Sequence, residues 1–192
     1  MKLLNLNCIS PLYLPIDKAL ELEIKSRLER FKNTLWETHF KINKNDAIPF
    51  IQGKDRRIVC IVNKTLTMHC ALMPYPEGWY IMMNKANIKK LSLTEGDLVH
   101  LSIRKDDSKY GMPIPEELRS CLDEDPLSMK YFEGLTSGKK RNLIYIVSKI
   151  KSSEIRINRS LAILEHLVRE RGSLDFKKLN ELIKEYNQRY KL

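Results

Sequence analysis

The sequence predicts an α+β fold: a small six-stranded β-barrel followed by a C-terminal helical appendage. Three observations predict it. Alternating runs rich in β-branched and aromatic residues recur between turn signals in the first half of the chain. Helix caps followed by apolar stripes at helical spacing fill the second half. Between the two, NKANIKKLSLTEGDLVHLSIRKDD (Asn84 to Asp107) reads as a short helix, a tight Gly96–Asp97 turn and an alternating strand, Leu98 to Ile103. Gly96 supplies a turn conformation that a side chain resists, and Asp97 is placed to accept from backbone amides across the corner. The expected domains are an N-terminal extension at 1–20, the barrel at 21–107 and the helical region at 108–192.

Met1 to Lys18 holds two prolines and no sustained period, as an extension would. ALELEIKSRLERF fits two templates. Leu20, Leu22 and Ile24 alternate, while Leu20, Ile24, Leu28 and Phe31 form a helical stripe. A strand is the choice here, because Lys32-Asn33-Thr34 makes a turn into a second alternating run, LWETHFKI. Asp46 to Asp55 is a connection with Pro49 and Gly53. RRIVCIVN suits a buried strand, Asn63-Lys64 turns it into TLTMHCALM, and Pro74 to Gly78 turns that into WYIMMNK.

After Ser108, SKYGMPIPEELRSCL leads into a helix with Pro115 in its first turn. Asp125-Pro126 starts a second. Thr136 or Ser137 caps GKKRNLIYIVSKIK, and Ser152 or Ser153 caps EIRINRSLAILEHLVRER, which Gly172 stops. Ser173 or Asp175 opens a last helix with Phe176, Leu179, Ile183 and Tyr186 on one stripe.

The 192 residues carry a formal net charge of +10, with 43% hydrophobic and 30% charged residues. The balance favours anionic partners, nucleic acid or a phosphorylated ligand, and is equally a device for solubility. The four cysteines (Cys8, Cys60, Cys70, Cys121) contain no C-x-x-C pair, which fits reduced thiols in a cytoplasmic protein. No apolar run approaches the ~20 residues that span a bilayer. No metal and no cofactor is expected: the histidines and cysteines lack ligand spacing, and neither a phosphate loop nor a dinucleotide fingerprint is present.

Two constellations suggest a site. Lys139, Lys140 and Arg141 open one helix; Lys151 precedes the next, on which Arg156 and Arg159 lie three apart, a spacing that lets both reach one phosphate. Lysines at a helix start oppose its dipole, which favours a binding role over a merely solvated face. Trp36, Arg56, Arg57 and Trp79 are placed to line a barrel mouth that holds a small ligand, or, for the tryptophans, to fill the core. No catalytic residues are assigned. The carboxylates at helix starts serve the dipole, and His39, His69 and His100 have no nucleophile beside them in sequence.

FKNTLWETHF, DRRIVCIVN, CALMP, NKANIKKLSLTEGD, SKYGMPIPEEL, FEGLTSGKKRNLIYIV, KSSEIRINRSL and GSLDFKKLNELI follow in order from about Leu22 to Gln188. As a series they resemble the bacterial YdeI/OmpD-associated, or bacteriocin-protection, family fused behind a small β-barrel domain of unknown function. The resemblance implies the barrel-then-helices order, supports the strand at ALELEIKSRLERF, and places Lys151, Arg156 and Arg159 in a lysine-plus-paired-arginine motif. It departs at Ile42-Asn43, where the family carries valine-proline, and before about Leu20. The family implies tolerance of antimicrobial peptides and bacteriocins without an assigned chemistry. Most such peptides are cationic, so a chain at +10 repels them and direct sequestration is disfavoured. Asn84 to Asp106 also resembles the helix–turn–strand unit of AbrB-like swapped-hairpin regulators, which implies DNA binding by a dimer through the barrel.

The expected function is therefore a non-catalytic binding or stress-tolerance module with a basic helical surface for an anionic partner. Its alternatives are an AbrB-like DNA-binding regulator and an enzyme acting on a small anionic metabolite.

Overall fold

A computed structural model describes residues 20–31 and 38–189. The expected N-terminal extension up to residue 19, with Cys8, lies outside those residues, as do the Lys32-Asn33-Thr34 turn and Trp36. The described chain forms two compact units. One runs up to Met68 and resumes at Leu72–Lys105; the other comprises His69–Ala71 and the chain from Asp106 onward.

The strands are β1 (Glu21–Arg30), β2 (Thr38–Ile42), β3 (Arg57–Val62), β4 (Leu66–Ala71), β5 (Met73–Tyr75), β6 (Gly78–Met82) and β7 (Leu98–Lys105). They form one sheet in the order β4-β3-β7-β1-β2-β6-β5. This corrects the small six-stranded barrel: among the described residues there are seven strands, and the sheet is curled and open. The run TLTMHCALM breaks at Leu72, whose N–H leaves the ladder for the Arg56 carbonyl at 2.9 Å. The two pieces, β4 and β5, then lie on opposite edges of the sheet. Among the described residues its seam is crossed by the covalent chain at Leu72 and by no ladder. Pro74, which has no N–H to donate, sits in the short edge strand β5, where a sheet tolerates it. The turn is correspondingly tighter than Pro74 to Gly78.

Alternation decides β1 against the helical reading. Glu21, Glu23, Lys25 and Arg27 are exposed, while Ser26 and Leu28 are buried between them. Leu28 lies opposite Phe40, Phe40 opposite Ile81, Ile24 opposite Leu101 and Cys60 opposite Ile103, so one face of the sheet forms a continuous apolar core. The Asn63–Lys64 hairpin turn has both residues at positive φ, 49° and 58°, as a two-residue turn of this hand requires. At the second corner Gly96 has φ +94°, and Asp97 Oδ2 accepts the Thr94 N–H at 2.7 Å. The expected connection before β3 contains a short helix α1 (Lys44–Ala47) and a 3₁₀ turn (Ile48–Phe50), whose Ala47 and Phe50 are buried. Helix α2 (Lys85–Lys90) is capped by Asn84, which accepts the Asn87 N–H at 2.7 Å.

The second unit is helical: α3 (Glu116–Glu124), α4 (Pro126–Gly134), α5 (Ser137–Ser148), α6 (Ser153–Arg169) and α7 (Phe176–Arg189). Thr136, Ser152 and Asp125 supply the caps expected at their N-termini. Gly172, at φ +82°, ends α6, and its N–H returns to the Leu167 carbonyl at 2.7 Å. A β-carbon there would stand 2.8 Å from the Tyr131 ring. The core gathers Leu118 and Leu122, Phe132, Leu143 and Val147, Ile163 and Leu167, and Leu179 and Ile183 from the five helices. Among the described residues no helix is long and apolar enough to cross a membrane.

Candidate anion-contacting site

The stretches SKYGMPIPEEL and FEGLTSGKKR, far apart in sequence, converge on Glu133. Its carboxylate accepts from the Tyr110 hydroxyl at 2.8 Å, from Lys140 at 2.6 Å and from Lys109 at 2.7 Å. Burial alone would raise the Glu133 pKa; these three donors outweigh it and hold the carboxyl down at about 2. Both ammonium groups also lie over the Tyr110 ring, at 5.1 and 5.9 Å. Arg141 donates to the Tyr110 carbonyl at 3.4 Å. Three cations thus surround one tyrosine with a single carboxylate between them, leaving a local excess of positive charge.

Lys140 and Arg141 were expected at such a site from their helix-start position. Lys109, Tyr110 and Glu133 were missed, although they stand in two of the stretches that carry the family resemblance. Lys139, on the same helix, is exposed.

Lys151, Arg156 and Arg159 are elsewhere. Lys151 is exposed. Arg156 reaches Glu117 at 2.7 Å and the Ile150 carbonyl at 3.2 Å, and Arg159 donates to the Ile146 carbonyl at 2.8 Å. The two arginines lie on one face of α6, as their spacing requires; one Arg156 nitrogen reaches Glu117 on α3, while the other and Arg159 donate to carbonyls at and just beyond the C-terminal end of α5. Positive charge is favourable there because the last carbonyls of a helix are unsatisfied. Glu117 also accepts the Ser153 hydroxyl at 2.6 Å, and the bonds from Arg156 and Ser153 hold its pKa down at about 2. Burial lowers the Arg159 pKa from its ordinary value.

At the expected barrel mouth, the Arg56 guanidinium lies 5.8 Å from the Trp79 ring centre. Arg57 opens β3, its N–H bonded to the Asp55 carboxylate at 3.0 Å. Trp36 is outside the described residues.

Another charged cluster was not anticipated. Asp106 is buried and accepts from His69 Nδ1 at 2.9 Å and from the Ser108 hydroxyl at 2.5 Å. Burial would raise its pKa, but the bonds from Ser108 and His69 lower it, so the carboxylate is ionised and His69 Nδ1 must carry the proton. Aspartate stands between serine and histidine. Nucleophilic catalysis requires the histidine between them, so Asp106 cannot activate Ser108 in the manner of a catalytic triad.

Beside the Tyr110 cluster lies a cleft of about 260 Å³, with Met112, Ile114, Leu122 and Met129 forming apolar lining and Lys109, Arg119 and Asp123 supplying charge. Among the described residues no three His, Cys, Asp or Glu side chains gather as a metal cage.

Formal charge does not follow the basic clusters. Residues 1–105 hold 17 Lys and Arg against 10 Asp and Glu, an excess of 7; residues 106–192 hold 17 against 14, an excess of 3. No curated protein and no solved structure matches the chain. The family comparison falls on the helical unit, with the strands outside it: residues 111–170 match the family described as bacteriocin-protection, YdeI or OmpD-associated.

Proposed function

We propose that the protein is a non-catalytic binding protein of the YdeI/OmpD-associated type, acting in the cytoplasm on an anionic partner and through it on tolerance of bacteriocins or antimicrobial peptides. The observation that carries this reading is the convergence of Lys109, Lys140 and Arg141 on Tyr110 with only Glu133 to balance them. Lys139 extends the cationic surface on the same helix. Lys151, Arg156 and Arg159 form its second part, with Lys151 the more available and the arginines half-buried. A phosphate approaching the Tyr110 cluster meets ammonium groups already fixed in place, so little side-chain entropy is lost on binding. The cysteine spacing supports a reducing compartment.

A second reading places the anionic contact on the sheet unit, as an AbrB-like regulator would. The excess of 7 in residues 1–105 favours it, as does α2, which carries Lys85, Lys89 and Lys90 in six residues. Arg56, Arg57 and Trp79 belong to this reading too.

The test is fluorescence anisotropy with random duplex DNA and with single-stranded RNA, titrated across salt. The first reading expects log affinity to fall linearly with log salt, and Lys139→Glu with Lys151→Glu to reduce the slope by roughly one per lost phosphate contact. Lys85→Glu with Lys89→Glu and Lys90→Glu should leave that slope unchanged. The opposite pattern would transfer the site to the sheet unit. Negligible binding of both probes near physiological salt would overturn both placements and make the charge a solubility feature.

A further inference from the structure

The cleft beside Tyr110 contains two charged groups that the anion site does not use. Lys109 and the Tyr110 hydroxyl, also at this cleft, are held by Glu133. Arg119 and Asp123 are different. Both project from α3 into the lining, both are exposed, and neither side chain has a hydrogen bond or ion pair among the described residues. They stand four residues apart, about 6 Å along the helix, where opposite charges ordinarily pair. Asp123 also lies in the last turn of α3, where a carboxylate opposes the helix dipole. Neither local helix energetics nor an ion pair accounts for the two charges. Below them lies the apolar floor of Met112, Ile114, Leu122 and Met129.

We propose that this cleft binds a small apolar α-amino acid. The Arg119 guanidinium takes the carboxylate as a planar fork, Asp123 takes the ammonium group, and the ligand side chain covers the apolar floor. The two protein charges of opposite sign, separated along the helix, match the two ligand charges of opposite sign on either side of one carbon. The cavity of about 260 Å³ lies just below the range that holds drug-sized ligands, which suits an amino acid. Burying the ligand's apolar side chain displaces water from the floor and strengthens both ionic contacts. A plain carboxylate leaves Asp123 unmatched, and a plain amine leaves Arg119 unmatched. That is the source of the selectivity.

The experiment is a nuclear magnetic resonance titration of the full chain with leucine, methionine and phenylalanine, following backbone amides of residues 108–129. Two analogues of leucine serve as controls: 4-methylpentanoate, which lacks the amine, and isopentylamine, which lacks the carboxylate. The expected result is saturable shifts with at least one amino acid and binding about tenfold weaker for each analogue. Arg119→Gln and Asp123→Asn should each weaken binding about tenfold and leave the melting temperature unchanged, since both side chains are exposed. The absence of saturable shifts with all three amino acids would overturn the proposal. Equal binding of 4-methylpentanoate and leucine would also overturn it, by removing Asp123 from the site. Both substitutions should leave the nucleic-acid anisotropy unchanged, so this proposal and the anion-binding reading fail separately.

Discussion

The sheet unit and the helical unit carry different balances of charge, although both pair acids with bases, as Glu29 with Lys41 and Asp55 with Lys105 do in the sheet. Residues 1–105 carry the larger formal excess, 7 against 3, with fewer carboxylates to balance it. The helical unit has nearly as many acids as bases, but several acids are bound to chosen cations: Glu117 to Arg156, Glu133 to Lys109 and Lys140, Glu165 to Arg169, Glu170 to Lys178. Net charge sets long-range attraction, whereas fixed pairs set local geometry. The larger formal excess and the two carboxylates held at about 2, Glu117 and Glu133, therefore lie in different parts of the chain, and substitutions can separate them.

The largest effects test whether each unit has its own core. Phe40→Ala in the sheet and Phe132→Ala in the helices each remove a fully buried ring and should cost about 3–5 kcal/mol in urea or guanidinium unfolding. Near-neutral behaviour of either would show that its unit does not depend on that core. Next comes the arginine clamp. Arg156→Glu loses the bonds to Glu117 and the Ile150 carbonyl and sets two carboxylates together, an expected loss of about 2 kcal/mol. A melting temperature unchanged from the native chain would mark Arg156 as a surface residue available to ligands.

Acid should separate the units further. Glu117 and Glu133 are both held at about 2, well below their ordinary value. Their contribution to stability is complete above about pH 4.5 and is lost as pH falls towards 2, because the unfolded chain then binds the proton more readily. Glu117→Gln and Glu133→Gln should each flatten the acid limb of helical-unit unfolding, followed by helical circular dichroism. An unaltered limb would mean that these pairs do not govern it. The smallest expected effect compares caps. Asn84→Ala on α2 and Thr136→Ala on α5 each remove one side-chain acceptor and should cost about 1 kcal/mol in the same unfolding measurement.

The Thr136 cap was legible in the sequence because a cap is a local contact between one side chain and an amide two or three residues on; the Asn84 cap was not read from it. The Asn63–Lys64 and Gly96–Asp97 turns were legible for the same local reason, whereas β1 fitted both a strand and a helical template and was read as a strand only from the turn expected after it and from the resemblance. The break at Leu72 was not legible: Ala71-Leu72-Met73 contains no glycine or proline, and only the distant Arg56 carbonyl draws the Leu72 N–H out of line. The site divided in the same way. Lys140 and Arg141 could be picked out from their own helix, but Glu117 meets Arg156 across 39 residues and Tyr110 meets Glu133 across 23. No periodicity within one element specifies such partners. His69 and Asp106, 37 residues apart, escaped notice for that reason.

Leu72 is fully buried where the two edges of the sheet share a single residue. A closed barrel fixes its stagger through ladder bonds all the way round; here the chain's own connectivity does so at one point. Deleting Leu72 or inserting a residue beside it would shift β5 by one step relative to β4. Every side chain of β5 would then exchange faces. Tyr75 would leave Phe31 and Tyr80, whose rings it meets at 5.8 and 6.4 Å. Length at this position is thus a more stringent requirement than side-chain identity: the sheet should tolerate Leu72→Met and reject a single added glycine.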